Sequence, residues 1–480
     1  MRPQRNAASG RPAPYPPWLL RIVVAAKRTF SVSLLLFFDL VYDDRTSNMN
    51  APVPCDSTLE SELLAAVAIQ RRDMVELATT LVRFASLNGA EAGAQDFMEA
   101  VFRGLGLATE RFEVRDADLK QLPGYSPSVG QWERHDNVVA THRPGRSAGR
   151  SLILNGHIDV VPVGAEELWS RPPFDPVVRD GRIYGRGSGD MKAGIAAYVT
   201  AFRALKSMGL QPAAPVIMQS VVEEECTGNG ALACLHRGYT ADAAIIPEPF
   251  GHSILNAQVG VMWLSVEVFG KPAHVAQASQ GLNAIEAAFA LWRGLQSLEA
   301  QWNQLENRHP AFAHLEHPLR FNLGKIHGGE WASSVPTRCV MELRCGFYPG
   351  ITAAQARAAI EARLAETARQ DAGLAGITHR VRYAGFQAEG FVLDTTLPLV
   401  STLAAAHLQV INDKADLLAS SATTDARAFN LYGGIPATCY GPEARNIHGI
   451  DESVSIDSTL RVAQVLALFI ARWCGVEKAR

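Results

Sequence analysis

The hydrophobic pattern of this chain changes period near Asn256 and again near Phe391, and that interruption constrains the fold more than any other feature. Ahead of it, short apolar runs alternate with helical ones. The pattern predicts a helix over Asp56–Ser86, with Asp56, Ser57 and Thr58 as caps, another over Ala94–Leu105, and a strand over Ala108–Val114. Asn137–Thr141, Ser151–Asn155, Val216–Val222 and Ala243–Ile246 read as buried strands bounded by turn residues, interleaved with helices over Met191–Met208 and Gly228–His236. Such alternation implies a mostly parallel sheet covered on both faces. Val259–Phe269 then alternates apolar and polar residues, as a half-buried antiparallel strand does. A helix at Gly281–Leu305, strands at Leu319–Ile326 and Thr337–Gly346, a helix at Thr352–Arg369 and a strand at Thr378–Ala384 complete a β-α-β-β-α-β order. That is the ferredoxin-like arrangement of a two-layer α+β unit. After Phe391 the first pattern resumes, with a helix at Pro398–Gln409, a turn at Ser420–Asp425, a strand at Ala437–Gly441 and a helix at Ile456–Cys474. The expected architecture is therefore a large α/β domain, residues 56–255 and 389–480, with a mixed, mostly parallel sheet. A smaller α+β domain is inserted into it at residues 256–388.

With 480 residues the chain is too long for a single core, and 48% hydrophobic against 19% charged residues is an ordinary globular balance. A net charge of −3 leaves no electrostatic footprint for nucleic acid. The seven cysteines, Cys55, Cys226, Cys234, Cys339, Cys345, Cys439 and Cys474, are scattered, odd in number and form no C-x-x-C. They read as reduced, small buried hydrophobes in a cytoplasmic protein. Residues 1–48 are rich in arginine and proline, and their apolar run Leu34–Phe38 is too short to span a bilayer. Asp39, Asp43 and Asp44 follow where a signal peptide would carry a small-residue cleavage site, so no membrane or export role is expected. Met49 precedes a conventional domain start, and residues 1–55 read as a disordered extension or the product of an upstream start site.

Chemistry gathers at the ends of the predicted strands. Asp190 closes a glycine-rich turn, Gly185–Gly194, reading G-R-G-S-G-D-M-K-A-G. A phosphate loop would need a third glycine at Asp190 or a G-K-[ST] ending, and neither is present. Alone, the turn is equally an ordinary capped helix; as a metal ligand Asp190 needs partners. His157-Ile158-Asp159 follows a strand, and residues two apart in extended chain face the same way. Both can look into a site at the C-terminal edge of the sheet, where Asp159 would orient the imidazole or a neighbouring carboxylate. Glu223-Glu224-Glu225 follows another strand and runs into a turn, C-T-G-N-G-A; Glu248 stands between Pro247 and Pro249 at the end of a third. Late in the chain comes His448-Gly449-Ile450-Asp451-Glu452. A lone histidine is more often a satisfied core residue, and an acidic run more often a solvated loop. Together, however, His157, Asp190, Glu224, Glu225, Glu248 and His448 make an imidazole and carboxylate set without thiolate. That set suits zinc, cobalt or manganese, and two ions if one carboxylate bridges.

The motifs H-x-D, G-R-G-x-x-D-M-K, E-E-x-x-G-x-G, P-E-P, G-x-x-A-H, T-D-A-R and H-G-x-D-E, in that order over about residues 60–475, resemble a known family. It is the co-catalytic metallohydrolase family of acetylornithine deacetylase, succinyl-diaminopimelate desuccinylase, aminoacylase and glutamate carboxypeptidase. The E-E-E-C-T-G-N-G-A stretch is most similar to the acetylornithine deacetylase-like branch. The resemblance implies two divalent ions per subunit, zinc first, with cobalt or manganese as alternatives. Asp190 would bridge them, with His157 and Glu248 completing one site and Glu225 and His448 the other. Glu224 would be the general base acting on a water shared by the ions, and Asp159 would support the ligands. The E-E-E run leaves the register open; Glu224 and Glu225 are chosen because Gly230 then falls five residues beyond the ligand. His274, in Gly270-Lys-Pro-Ala-His, matches the family's donor to the oxyanion, which in dimeric relatives comes from the partner subunit. The inserted domain would accordingly be a lid and a homodimer interface.

Arg344 and Arg427 match family positions near a substrate carboxylate, which a guanidinium fork suits, although Arg344 is equally read as a surface ion pair. Where relatives often carry N-x-x-P, this chain has Ser333-Ser334-Val335-Pro336, so carboxylate recognition is expected to differ. The leading expectation is a deacylase of N-acyl amino acids or similar small amides. The alternatives are deformylation of a formylamino-pyrimidine type of compound, or dipeptidase or carboxypeptidase action. A family member that binds without catalysis would lack a ligand or the base, and none is lost.

Overall fold

Asp56 starts the first helix: its Oδ1 accepts the backbone N–H groups of Thr58 (3.0 Å) and Leu59 (2.9 Å), which the helix itself leaves unpaired. The computed structural model describes residues 55–479 except Gln131, Glu133 and Arg146, and the expected N-terminal extension, residues 1–55, lies outside the described residues but for Cys55. The longer helices are α1 (Ser57–Ile69), α2 (Arg71–Val82), α3 (Ala92–Gly104), α4 (Ala193–Ser207), α5 (Asn229–His236), α6 (Ala284–Trp302), α7 (Ala353–Gln370), α8 (Pro398–Ile411) and α9 (Ile456–Cys474). The strands that build the two larger sheets are β1 (Ala108–Glu113), β2 (Asp136–His142), β3 (Leu152–His157), β4 (Val216–Val221), β5 (Ala243–Ile246), β6 (Gly260–Phe269), β7 (Phe321–Gly328), β8 (Arg338–Phe347), β9 (Thr378–Ala388) and β10 (Ala437–Cys439).

The protein is mixed α/β. Its six-stranded sheet has the order β1-β2-β4-β3-β5-β10. The four strands β4, β3, β5 and β10 run parallel, while β1 and β2 run antiparallel to their neighbours. Every residue of β3, β4 and β5 is buried, as expected of continuous apolar runs in a parallel sheet with both faces covered. Each fully buried leucine, isoleucine or valine there contributes roughly 1.5–3 kcal/mol of transfer free energy. This is the mixed, mostly parallel sheet expected, with β1 and β2 as its antiparallel part. Residues 143–151 between β2 and β3 are too few for the crossover that parallel strands require. The first helical stretch departs from expectation. The chain turns at Gln70 (φ −84°, ψ 8°), so α1 buries Leu63 and Val67 and α2 separately buries Met74, Leu77 and Leu81.

The second sheet has the order β7-β8-β6-β9, with every neighbour antiparallel. Its strands and α6 and α7 follow one another as β-α-β-β-α-β. Met262, Leu264, Val266 and Val268 of β6 pack with Leu291 and Leu295 of α6 and Ile360 and Leu364 of α7 in a core of their own. The opposite face carries Arg338, Arg380 and Arg382 around Glu267. A small sheet marks where the chain passes between the two: Ile254–Gln258 pairs antiparallel with Phe391–Val392 and parallel with Leu417–Ser420. Another joins Arg182–Tyr184 to Ser453–Ser455, which brings the late H-G-x-D-E stretch against the glycine-rich turn. All seven cysteines are free and all but Cys55 are buried. No helix among the described residues is long and apolar enough to cross a membrane.

Candidate metal centre

His157 is the last residue of β3, so the parallel half of the sheet aims it out of the strand's C-terminal end. Its Nε2 lies 3.1 Å from Asp190 Oδ1, 3.8 Å from Glu248 Oε1 and 3.9 Å from Glu224 Oε2. Its Nδ1 sits 2.9 Å from the carbonyl of Asp159. A proton donated there leaves the Nε2 lone pair facing the acids, the tautomer a ligand needs. On the other side of Asp190, Oδ2 is 3.2 Å from His448 Nε2, which is also 3.2 Å from Glu225 Oε1. His157, Asp190 and Glu248 thus form one group that could hold a metal ion and Asp190, Glu225 and His448 another, sharing Asp190.

Local structure explains the aim of each group. Asp190 sits in an irregular turn, Ser188–Lys192, ahead of α4, with extended backbone (φ −110°, ψ 95°) rather than at a helix cap. The turn can form because Gly187 is left-handed (φ 76°) and a Cβ there would lie 2.4 Å from Val160. The Glu223–Gly230 turn is closed by Gly230, where a Cβ would meet the Val222 carbonyl at 2.1 Å. The Asp159 carboxylate accepts the N–H groups of Glu224 (3.3 Å) and Glu225 (3.0 Å), so it grips the acidic turn more than the imidazole.

The electrostatics are those of a cation site. Burial opposes charge on His157, but its hydrogen bond to Asp190 and the charges of Glu248, Glu224 and Asp159 hold its pKa well above the ordinary imidazole value. Burial likewise opposes charge on Asp190, yet hydrogen bonds from His157 and His448 keep it far below the carboxylate range. Burial pushes Glu224 and Glu248 well up; His157 pulls both down, while nearby carboxylates push both further up. Asp159 is raised to about 7 by burial. Glu248 Oε1 is buried without any hydrogen-bond partner, a costly state for a carboxylate oxygen that a cation would relieve. The donor set, imidazole and carboxylate without thiolate, fits a divalent ion of the zinc, cobalt or manganese kind.

A profile of Peptidase family M20/M25/M40 matches residues 153–472, well over half of the chain. The chain belongs to this family. This M20 protein is a hydrolase of amide bonds. It is 29% identical over 441 residues to N-formyl-4-amino-5-aminomethyl-2-methylpyrimidine deformylase of Halalkalibacterium halodurans, covering 87% of this chain and 98% of that one. It is 28% identical over 411 residues to succinyl-diaminopimelate desuccinylase of Phenylobacterium zucineum, covering 84% and 98%. Among solved structures, human carnosine dipeptidase 1 has the same fold at 14% identity and a TM-score of 0.69, covering 88% of this chain and all (100%) of that one.

Three of the expected site residues stand apart from the M20 triads. His274 is exposed, its Nδ1 accepting the Ala276 N–H at 3.1 Å, and it bridges Ser334 through backbone. Arg344 directs its guanidinium at the carbonyls of Arg320 (2.9 Å) and Ser421 (2.6 Å). Arg427 is 1% exposed and donates to the carbonyl of Thr227. Sequence reasoning also missed a residue that the site depends on. Glu452, fully buried, accepts the N–H groups of Gly187 (2.9 Å), Gly189 (2.9 Å) and Asp190 (3.1 Å) and pairs with Arg186 Nη1 at 2.6 Å. Arg186 in turn donates to the Gly449 carbonyl at 3.1 Å, tying the Asp190 turn to the His448 loop. The signal was present: Glu452 ends H-G-x-D-E and Arg186 lies inside G-R-G.

Proposed function

We propose that this protein removes a small acyl group from an N-acylated amine, using two divalent ions with zinc as the first candidate. The observation that carries the reading is the shared carboxylate: Asp190 faces His157 with one oxygen at 3.1 Å and His448 with the other at 3.2 Å. His157 and Glu248 would hold one ion with Asp190, and Glu225 and His448 the other. When bound, such ions make water acidic enough to ionise near neutrality and polarise the acyl carbonyl. Glu224, beside His157 and fixed at its backbone by Asp159, is the general base: it takes a proton from the attacking water and passes it to the leaving amine. Asp159 holds the turn that aims Glu224 and Glu225.

Within this class, deformylation of a formylamino-pyrimidine type of amide is the reading to test alongside deacylation of an N-acyl amino acid. Two relatives favour it, the deformylases of Halalkalibacterium halodurans and Bacillus subtilis, with 98% and 96% of their lengths covered. So does the engagement of Arg344 and Arg427 with backbone carbonyls, which leaves less guanidinium for a substrate carboxylate. We further read residues 256–388 as an inserted ferredoxin-like lid and homodimer interface between the two catalytic parts, 56–255 and 389–480. The exposed His274 would then serve as the oxyanion donor in the site of a second copy, and the enzyme would work in the cytoplasm. Purified protein with zinc or cobalt, assayed on formyl, acetyl and succinyl amides and on dipeptides, tests the proposal. Turnover of acyl amides above dipeptides is expected, and turnover of dipeptides alone would overturn it. Activity of His274→Ala equal to wild type would remove that residue.

A further inference from the structure

Of the three adjacent acids, the proposed chemistry uses Glu224 and Glu225. Glu223 points the other way and is 2% exposed. Its backbone is left-handed (φ 64°), a conformation that a residue with a Cβ adopts only when its surroundings hold it there. Its carbonyl closes the turn by accepting the N–H groups of Thr227 (3.0 Å) and Gly228 (2.7 Å). Its carboxylate takes the hydroxyl of Thr227, the indole N–H of Trp132 at 3.3 Å and the hydroxyl of Ser128 at 3.5 Å.

The remaining neighbour is His135. Its Nε2 lies 2.7 Å from Glu223 Oε1, an ion pair when the ring is protonated. Its Nδ1 faces Glu91 Oε2 at 3.6 Å, and the Trp132 ring lies against it at 5.6 Å between centroids. Burial opposes charge on His135, but Glu223 and Glu91 outweigh it and raise the pKa to about 9. Without that cation Glu223 would be a buried carboxylate with neutral donors alone, and the turn would open to let it reach water. Opening would swing the next two residues, whose N–H groups are held from the opposite side by Asp159.

We infer that His135 is a positioning residue: acting through Glu223, it holds the left-handed turn that presents Glu225 to Asp190 and His448, and Glu224 to His157. The inference rests on the metal-centre reading above, and the wild-type protein separates the two. If wild type fails to bind two ions, that reading falls; if it binds two and the variants behave as wild type, only the role of His135 falls. The experiment is titration of metal-free wild type, His135→Ala and His135→Gln with zinc and with cobalt, following stoichiometry and the cobalt absorption spectrum, with kcat and KM at each metal level. The His135→Ala protein should keep the affinity of the inner ion and lose about 10–100-fold at the outer one, as removal of a group that supports a ligand does. Its kcat should fall at limiting metal with KM little changed, and His135→Gln, which restores an N–H donor, should lie between it and wild type. Equal weakening of both ions with glutamine no better than alanine would mark a merely structural role and overturn the inference, as would an unchanged outer ion. Should His135→Ala fail to fold, Trp132→Phe keeps a ring and removes one donor to Glu223. A loss of the same sign, about threefold at the outer ion, is expected, and none would count against the inference.

Discussion

The two ligand triads share a residue but are built differently. The inner one stands on rigid parts: His157 is the end of a fully buried strand and Glu248 sits between two prolines, with side chains only 1% and 5% exposed. The outer one is assembled from turns. Its His448 side chain is 51% exposed and lies in a loop where Asn446, His448 and Asp451 all have positive φ. The sheet and the proline-flanked turn after it aim His157 and Glu248. The outer ones need outside support: Asp159 behind Glu225, and the Arg186–Glu452 pair behind His448 and Asp190. The difference implies a tight, slowly exchanging inner ion and a more labile outer one.

The largest effect should come from the residue common to both. Asp190→Asn is expected to lose activity to background and to retain less than one ion per chain by elemental analysis; a variant still holding two would break the shared-ligand scheme. Next, Glu224→Gln should keep both ions while kcat falls about 10²–10⁴-fold, the usual range for a general base. A smaller drop would move the base elsewhere. Glu452→Gln touches neither cation, yet it weakens the acceptor for three N–H groups that shape the Asp190 turn. A loss of about 10–100-fold in metal affinity is expected, greater for the outer ion when chelator release is timed. Equal release rates from both sites would erase the contrast.

The smallest effect is a pH dependence. Partial desolvation of the half-exposed ring opposes charge on His448, but Glu225 and Asp190, which face its Nε2, raise its pKa to about 11. Against about 6.5 in the unfolded chain, this raised pKa stabilises the metal-free fold fully below about pH 6.5. That stabilisation is lost as pH rises through about 11. A ligating imidazole must be neutral, so protons compete with cations. The rise in melting temperature caused by saturating zinc should therefore be small near pH 5.5 and grow toward about pH 8. A rise independent of pH would remove His448 from the ligand set.

Much of this contrast could be read along the chain. The proposed ligands lie in short motifs, His157, Glu225 and Glu248 close to strand ends, and strand ends announce themselves as apolar runs stopped by turn residues. The β-α-β-β-α-β order was likewise visible, because the period of two in Val259–Phe269 survives burial of one face. What escaped was set by packing between distant segments. Nothing local to Arg71 marks the break after α1; nothing in Asn137–Thr141 gives the direction of β2, which depends on the length of the next connection. The side to which Glu223 turns depends on His135, far away in sequence, and Glu452 was legible as part of a motif while its role needed the turn it holds. The strand Ile254–Gln258 was absorbed into the boundary because its partners, Phe391–Val392 and Leu417–Ser420, lie far along the chain.

The Arg186–Glu452 clasp carries one more implication, for the order in which the centre can be completed. His157, Asp190, Glu225 and Glu248 all precede the 256–388 segment, while His448 and Glu452 come after it. A chain emerging from the ribosome owns every inner ligand two hundred residues before it owns the outer histidine. Until that last stretch arrives, the Asp190 turn lacks the acid that gathers its amides, and on the proposed ligand scheme a half-made enzyme would hold one cation at most.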